Sequence, residues 1–268
     1  MPPILRPLLL CLSLVAAPVA AAPAPASDEV DTALIVSVDV SGSVNQERYL
    51  LQMDGIARAL EDPGVIASIT GGTHGAIWFS MVNWSEKPVT AVPWTRIASA
   101  ADAKAVAREI RHTERPEGEF TCIAHMMKYV ADEMLPTLPG KARRVVMDVS
   151  GDGLDNCDGD AATKDMRNAL LDKGLTINGL PIHEGDPNQP LGAGAFRAPG
   201  RDFEVKRPTG EIKTLEPWYR DHVIGGEGAF LMPAHGYGDF GRAIRQKFVV
   251  EISGLPVFPA HYAEMRGR

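Results

Sequence analysis

The sequence predicts an α/β protein: a doubly wound, mostly parallel central sheet with helices on both faces. Three observations lead there. Runs such as "ALIVSVDV" (33–40) and "RRVVMDVS" (143–150) are apolar and β-branched without strict alternation, as strands covered on both faces are. Segments with apolar residues at helical spacing alternate with those runs, which is the pattern of parallel strands joined by crossover helices. The chain of 268 residues is 45% hydrophobic, enough for one generous core, and no repeat of fixed period stands out.

Taken in order, strand 33–40 leads into a helix over 46–60, where Leu50, Leu51, Met53, Ile56, Ala57 and Leu60 share a helical period. A second strand over 75–85 is bounded by Gly71-Gly72 and Lys87-Pro88. Residues 98–111 return to helical spacing, and 124–134 form another helix that Pro136 stops. Strand 143–150, helix 161–173 and strand 175–182 follow. Residues 184–214 are rich in Gly, Pro and charge, which predicts a long loop or a small hairpin. A further strand is expected over 228–234 and a closing helix over 239–252. This yields one domain over 33–253, a linker at 27–32 and a tail at 254–268.

Residues 1–26 read as an export signal. Arg6 is their only charge, an apolar run spans 8–17, and Ala24-Pro25-Ala26 places small residues before a cut at Ser27; a cut after Ala21 is the second choice. The alternative is a retained N-terminal anchor, but the apolar run is short for a bilayer and no later segment reaches 18 apolar residues. Cys11 lies inside the apolar run after Leu10, which argues against a lipidated cysteine. The expected location is periplasmic or secreted. Loss of Arg6 takes the formal charge from −7 to −8, and an acidic chain without a basic run argues against a nucleic-acid partner.

The chemistry concentrates at strand ends. Asp39, Ser41 and Ser43 follow strand 33–40 at i, i+2 and i+4. In an open α/β sheet, ligands bind beyond the carboxyl ends of the strands. A carboxylate and two hydroxyls are hard donors, suited to Mg²⁺, Mn²⁺ or Ca²⁺ rather than zinc. The alternative is that Ser43 or Asn45 caps the next helix. Asp152 lies just beyond strand 143–150, within reach of the same crevice. Thr121 stands at a loop-to-helix start, where it would either face that crevice or cap the helix.

Together, Asp39-x-Ser41-x-Ser43, Thr121 and Ser150-Gly151-Asp152-Gly153 resemble the metal-ion-dependent adhesion site of von Willebrand factor A domains, whose strand and helix order also fits most of the chain. More narrowly, "DVSGSV" and "DVSGDGLDN" behind an export signal are similar to DUF1194, a family of exported bacterial proteins. The resemblance implies direct coordination of a cation, Mg²⁺ by default, by Ser41 and Ser43. Thr121 would bind directly or through water, and Asp39 and Asp152 mainly through waters or, in some states, directly. One position would stay open for an Asp or Glu carboxylate of a partner protein. Neutral hydroxyls leave the ion electrophilic, so an incoming carboxylate is attracted. Many such domains have Thr-Asp-Gly where this chain has Gly151-Asp152-Gly153.

If the loops of Thr121 and Asp152 meet at one ion, Cys122 and Cys157 come together, and a disulfide clamping those loops is expected in an exported chain. Asp148, Ser150, Asp155 and His125 are the nearby residues expected to support the site. For Asp148, inside an apolar strand, a satisfied structural carboxylate is the equal alternative. A calcium loop starting at Asp148 fails because its twelfth position is Gly159 rather than Glu. Asp155, Asp158 and Asp160 read as a solvated acidic loop, and Met126, Met127 and Met134 as helix packing. The chain has no nucleophile elbow, phosphate loop or zinc-protease helix. The expectation is therefore a binding module and not an enzyme. The rivals are a cation-dependent hydrolase of an anionic substrate using His125, His183 or Glu184, and a scaffold with a vestigial site.

Overall fold

The computed structural model describes residues 28–188, 191 and 213–254. The segment read as an export signal, most of the segment 184–214 and the tail beyond 254 lie outside the described residues. β1 (Val30–Asp39) is one of the two central strands, and its apolar run is buried on both faces. It leads through a tight loop into α1 (Gln46–Glu61) and α2 (Pro63–Thr70). β2 (Ile77–Trp84), β3 (Val89–Ile97) and α3 (Ala100–Arg111) follow. α4 (Ile123–Tyr129) continues into a wider helical turn over Val130–Met134 and a tight turn over Leu135–Thr137. The rest is β4 (Ala142–Gly151), α5 (Gly159–Asp172), β5 (Leu175–His183), α6 (Leu215–His222), β6 (Ala234–His235) and α7 (Phe240–Ser253).

The strand order is β3-β2-β1-β4-β5-β6, parallel except for the β2/β3 pair. One face packs on α1, α2, α3 and α7 through residues such as Leu34, Val36, Ile56, Val106 and Phe248. The other packs on α4, α5 and α6 through Ile35, Met126, Met147, Leu170 and Trp218. The chain winds outward from β1 in one direction and from β4 in the other. Their carboxyl ends, with Val38 opposite Ser150, therefore form the switch point where such sheets open a crevice.

Several elements differ from expectation. β3 is an antiparallel edge strand that Pro93 concealed; the proline is tolerated because it sits near an irregularity in the β2/β3 register. α2 starts at Pro63 with Asp62 accepting from Gly64 and Val65, a short helix set by its cap rather than by periodicity. α6 also went unpredicted. The strand expected over 228–234 shrinks to a bridge at Leu231 and the two residues of β6, since Gly226 and Gly228 take positive φ and Pro233 lacks a donor. β1 begins at Val30, inside the segment read as a linker.

Asp148 supports the core rather than the crevice. Its carboxylate lies 2.9 Å from Lys247 Nζ of α7, and Lys247 also pairs with Glu251. Glu251 Oε1 accepts from Asn178 Nδ2 at 2.8 Å, and Lys247 Nζ lies 5.0 Å from the Phe230 ring centroid. Lys247 and Asp148 are both 0% exposed. Burial holds the Asp148 carboxyl up at about 7; Lys247 opposes the shift and the negative charge of Glu251 reinforces it.

Candidate metal centre

Asp39 ends β1 with its side chain fully buried. Oδ1 accepts the Ser41 N–H at 2.8 Å, while Oδ2 has no hydrogen-bond partner among the described residues. The loop after β1 is held through its backbone. Arg115 donates to the carbonyls of Val40 (2.9 Å) and Ser41 (3.2 Å), Gln52 donates to that of Asp39 (3.2 Å), and Gly42 N–H reaches the Glu119 carbonyl (3.2 Å). The helix that follows is capped by Asn45, whose Oδ1 accepts from Arg48 N at 2.9 Å. Ser43 is thereby free of capping. Its Oγ lies 3.3 Å from Ser41 Oγ and donates to Asp152 Oδ1 at 2.7 Å.

Thr121 caps no helix either, since Cys122 takes the cap position of α4. Thr121 Oγ1 lies 3.3 Å from Ser41 Oγ. Asp39, Ser41, Ser43, Thr121 and Asp152 thus meet at the switch point, carried by three separate loops. Asp39, Ser41 and Thr121 form a buried floor and Ser43 an exposed rim. Burial, and then the charge of Asp152, raise the Asp39 carboxyl to about 7. Two carboxylates and three hydroxyls make a hard-oxygen donor set. Among the described residues no cluster of three or more His, Cys, Asp and Glu is placed to hold a metal.

The other two loops are cross-braced. Cys122 and Cys157 are disulfide-bonded, with α-carbons 5.2 Å apart. Thr121 N–H donates to Asn156 Oδ1 at 2.9 Å, and Asn156 N–H returns to the Thr121 carbonyl at 3.0 Å. Asp155 is not part of a solvated acidic loop. Its Oδ2 accepts from Ala124 at the start of α4, and its Oδ1 from Cys157, Asp158 and Gly159 at the start of α5, all within 3.0–3.1 Å. One carboxylate so satisfies orphan donors of two helix N-termini, where negative charge is favoured. Asp160 is likewise engaged, by Lys213 and by Trp218 Nε1 (2.9 Å); these contacts outweigh burial and hold its carboxyl below the usual range.

Other expected neighbours turn elsewhere. Ser150 Oγ bonds the Ser37 carbonyl (3.2 Å) within the sheet, and Asp148 pairs with Lys247, which also disposes of a calcium loop starting at Asp148. His125 reaches Asp158 (2.8 Å) and the Glu86 carbonyl (3.3 Å), not the five converging groups. His183 Nε2 meets Glu216 Oε1 at 3.1 Å, and Glu184 pairs with Arg48.

Three residues at the site were not foreseen. Tyr237 OH donates to Asp152 Oδ2 at 2.9 Å, and Arg48 lies over the Tyr237 ring, 5.2 Å from its centroid. The Tyr219 hydroxyl is buried without a hydrogen-bond partner among the described residues, and burial raises its pKa well above the ordinary value. Only Arg48 left a sequence signal, being one turn inside the helix after Ser43. Tyr219 also accounts for Gly151: a Cβ there would lie 2.7 Å from the Tyr219 hydroxyl and 3.0 Å from Asp39 Oδ2. Gly151→Ala is therefore expected to destabilise the protein by about 1–3 kcal/mol in urea unfolding, because Tyr219 or Asp39 must move.

The fold is that of a von Willebrand A-type domain. Similar solved structures include proximal thread matrix protein 1 from the mussel byssus (TM-score 0.59, 14% identity, covering 85% of this chain and 48% of that one). A second structure of that mussel protein, described as having a zinc-occupied MIDAS motif, has TM-score 0.54 at 14% identity over 84% of this chain and 46% of that one. A von Willebrand factor type A protein from Catenulispora acidiphila has TM-score 0.54 at 13% identity, covering 83% of this chain and 43% of that one. The chain thus spans about half the length of the mussel protein or less. The search of curated proteins returned no match. The chain belongs to the family described as "Protein of unknown function (DUF1194)", whose model matches residues 29–256.

Proposed function

We propose that this protein is an exported, divalent-cation-dependent protein-binding module, formed by the domain that runs from β1 (Val30) to α7 (Ser253) once residues 1–26 are removed. Asp39, Ser41, Ser43, Thr121 and Asp152 hold the cation, Mg²⁺ or in its place Mn²⁺ or Ca²⁺. The observation that carries the reading is the convergence of five oxygen-bearing side chains around a buried carboxylate whose Oδ2 has no hydrogen-bond partner among the described residues. A buried polar atom without a partner is costly, and a hard cation is the partner this donor set suits. The bound ion supplies positive charge at the crevice mouth, and an Asp or Glu of a partner protein is the group it draws. The disulfide agrees with an oxidising compartment. No helix among the described residues is long and apolar enough to cross a membrane.

Calorimetry with Mg²⁺ and Mn²⁺ tests this directly. Wild type is expected to bind, and the double variant Ser41→Ala, Ser43→Ala to give only heats of dilution; equal heats from both would end the reading. If neither cation nor chelator shifts the wild-type melting temperature, the site is vestigial and the domain is a scaffold. The hydrolase reading gains no support, since His125, His183 and Glu184 are each engaged by other side chains.

A further inference from the structure

We propose that Arg48 is a second recognition group of this centre, reading an additional carboxylate on the partner segment, and that Glu184 of the same chain holds its place meanwhile. The inference rests on the cation-binding reading above and specifies the partner's chemistry: an acidic segment with two carboxylates, one for the ion and one for Arg48.

Arg48 is fixed on the rim rather than waving in solvent. Its Nη1 donates to the Ser43 carbonyl at 2.5 Å and lies 4.0 Å from Asp152 Oδ2, so it touches two of the converging residues without being a cation ligand itself. Its plane rests over the Tyr237 ring, and Tyr237 is tied to Asp152. A guanidinium held on two sides has lost its rotamer freedom before any ligand arrives, and its fork matches a carboxylate bidentately.

What occupies that fork is informative. Nη2 is paired with Glu184, just past the end of β5. The Glu184 side chain is 44% exposed against 29% for Arg48, so the pair is partly open to water, which screens an ion pair and limits its net stability. It is therefore displaceable. A cavity of about 140 Å³ lies beside it, lined by Arg48, Asp152, His183, Glu184, Asp186 and Leu215. The cavity shares Asp152 with the cation centre, so one short segment can address both. Glu184 and Asp186 also place negative charge on the lining, which penalises an acidic segment that fails to displace Glu184 from Arg48. Selection of two carboxylates over one therefore rests on the Arg48 fork and works against the negative charge of Asp152, Glu184 and Asp186 on the same lining.

The test uses Mn²⁺, whose effect on water-proton relaxation reports both its own binding and the approach of a carboxylate. Wild type and the variants Arg48→Gln and Glu184→Gln are loaded with Mn²⁺, then titrated with capped tripeptides Asp-Gly-Asp and Asp-Gly-Asn. Wild type is expected to bind the diacidic peptide about fivefold or more tightly than the monoacidic one. Arg48→Gln is expected to bind Mn²⁺ more tightly, having lost a nearby positive charge, yet to lose the peptide preference. Glu184→Gln is expected to bind the diacidic peptide more tightly than wild type. If wild type takes up no Mn²⁺, the cation reading fails and this inference falls with it. If Mn²⁺ binds but the two peptides bind equally, or Arg48→Gln keeps the preference, this inference alone is overturned. A Glu184→Gln variant no tighter than wild type overturns the placeholder role.

Discussion

Replacing Lys247 by Met is expected to destabilise the protein by about 3–5 kcal/mol, because it leaves buried carboxylates without their cation. Asp148, Lys247 and Glu251 are each 2% exposed or less, and they link β4 to α7. The midpoint of urea unfolding reads the loss. A companion variant separates charge from packing: Asp148→Val, Lys247→Met and Glu251→Gln together are expected to recover most of the stability. The side chains are then apolar or neutral, and Gln at 251 still accepts from Asn178.

The same cluster makes stability depend on pH. Two carboxylates share one ammonium, and Asp148 Oδ2 and Glu251 Oε2 have no hydrogen-bond partner among the described residues. Groups facing Asp148 include Lys247 and Glu251 of α7; Asn178 of β5 and the Phe230 ring complete the surroundings of that pair. The folded protein keeps a proton on Asp148 up to about pH 7, whereas the unfolded chain releases it near the ordinary value of 3.8. The folded state binds the extra proton between those values. This contribution is therefore full below about pH 4 and is lost as pH rises through about 7. In the cation-free protein Asp39, raised to about 7 by burial and by Asp152, acts in the same direction, so the measurement is made with chelator present. Urea midpoints should fall from pH 5.5 to pH 8, and the fall should be shallower in Asp148→Asn. An equal slope in both proteins would remove Asp148 from the account.

Removing the disulfide is the second large effect. Cys122→Ala with Cys157→Ala is expected to cost about 3–4 kcal/mol, the chain-entropy value for a closed loop of this length. The sequence separation is 35 residues. On the proposed cation-binding reading, affinity for Mn²⁺ should also fall, by roughly tenfold, since the bridge orients the loops carrying Thr121 and Asp152. The fold should survive, because Asn156 and Asp155 still tie the loops together. Urea unfolding and Mn²⁺ titration read the two effects. Thiol labelling of denatured, unreduced wild type should find no reactive cysteine among Cys122 and Cys157.

The sheet and the metal-centre candidates were legible because their signals are local. A strand buried on both faces is an apolar run wherever it lies, and β1, β2, β4 and β5 all carry one. β3 was illegible because a half-exposed edge strand tolerates Pro93 and polar residues that mimic a loop. Ser43 and Thr121 had a capping alternative that sequence could not exclude. Asn45 at one helix start and Cys122 at the other decide against it.

By itself, the sequence determined the fold class, the five oxygen-bearing residues at strand and helix ends, and the pair of cysteines that would join if those ends met. Each of these depends on residue type and near-neighbour spacing. Only the tertiary structure decided the rest. Lys247 and Glu251 are four residues apart in a helix, a spacing that says nothing of burial, yet they lie in the core with Asp148 from 99 positions away (247 − 148). Arg48, Tyr237 and Glu184 meet at the rim from α1, the turn before α7 and the end of β5. Asp155 leaves solvent to serve two helix ends. Burial and long-range pairing determine what a charged side chain does, and neither is encoded in the residues beside it.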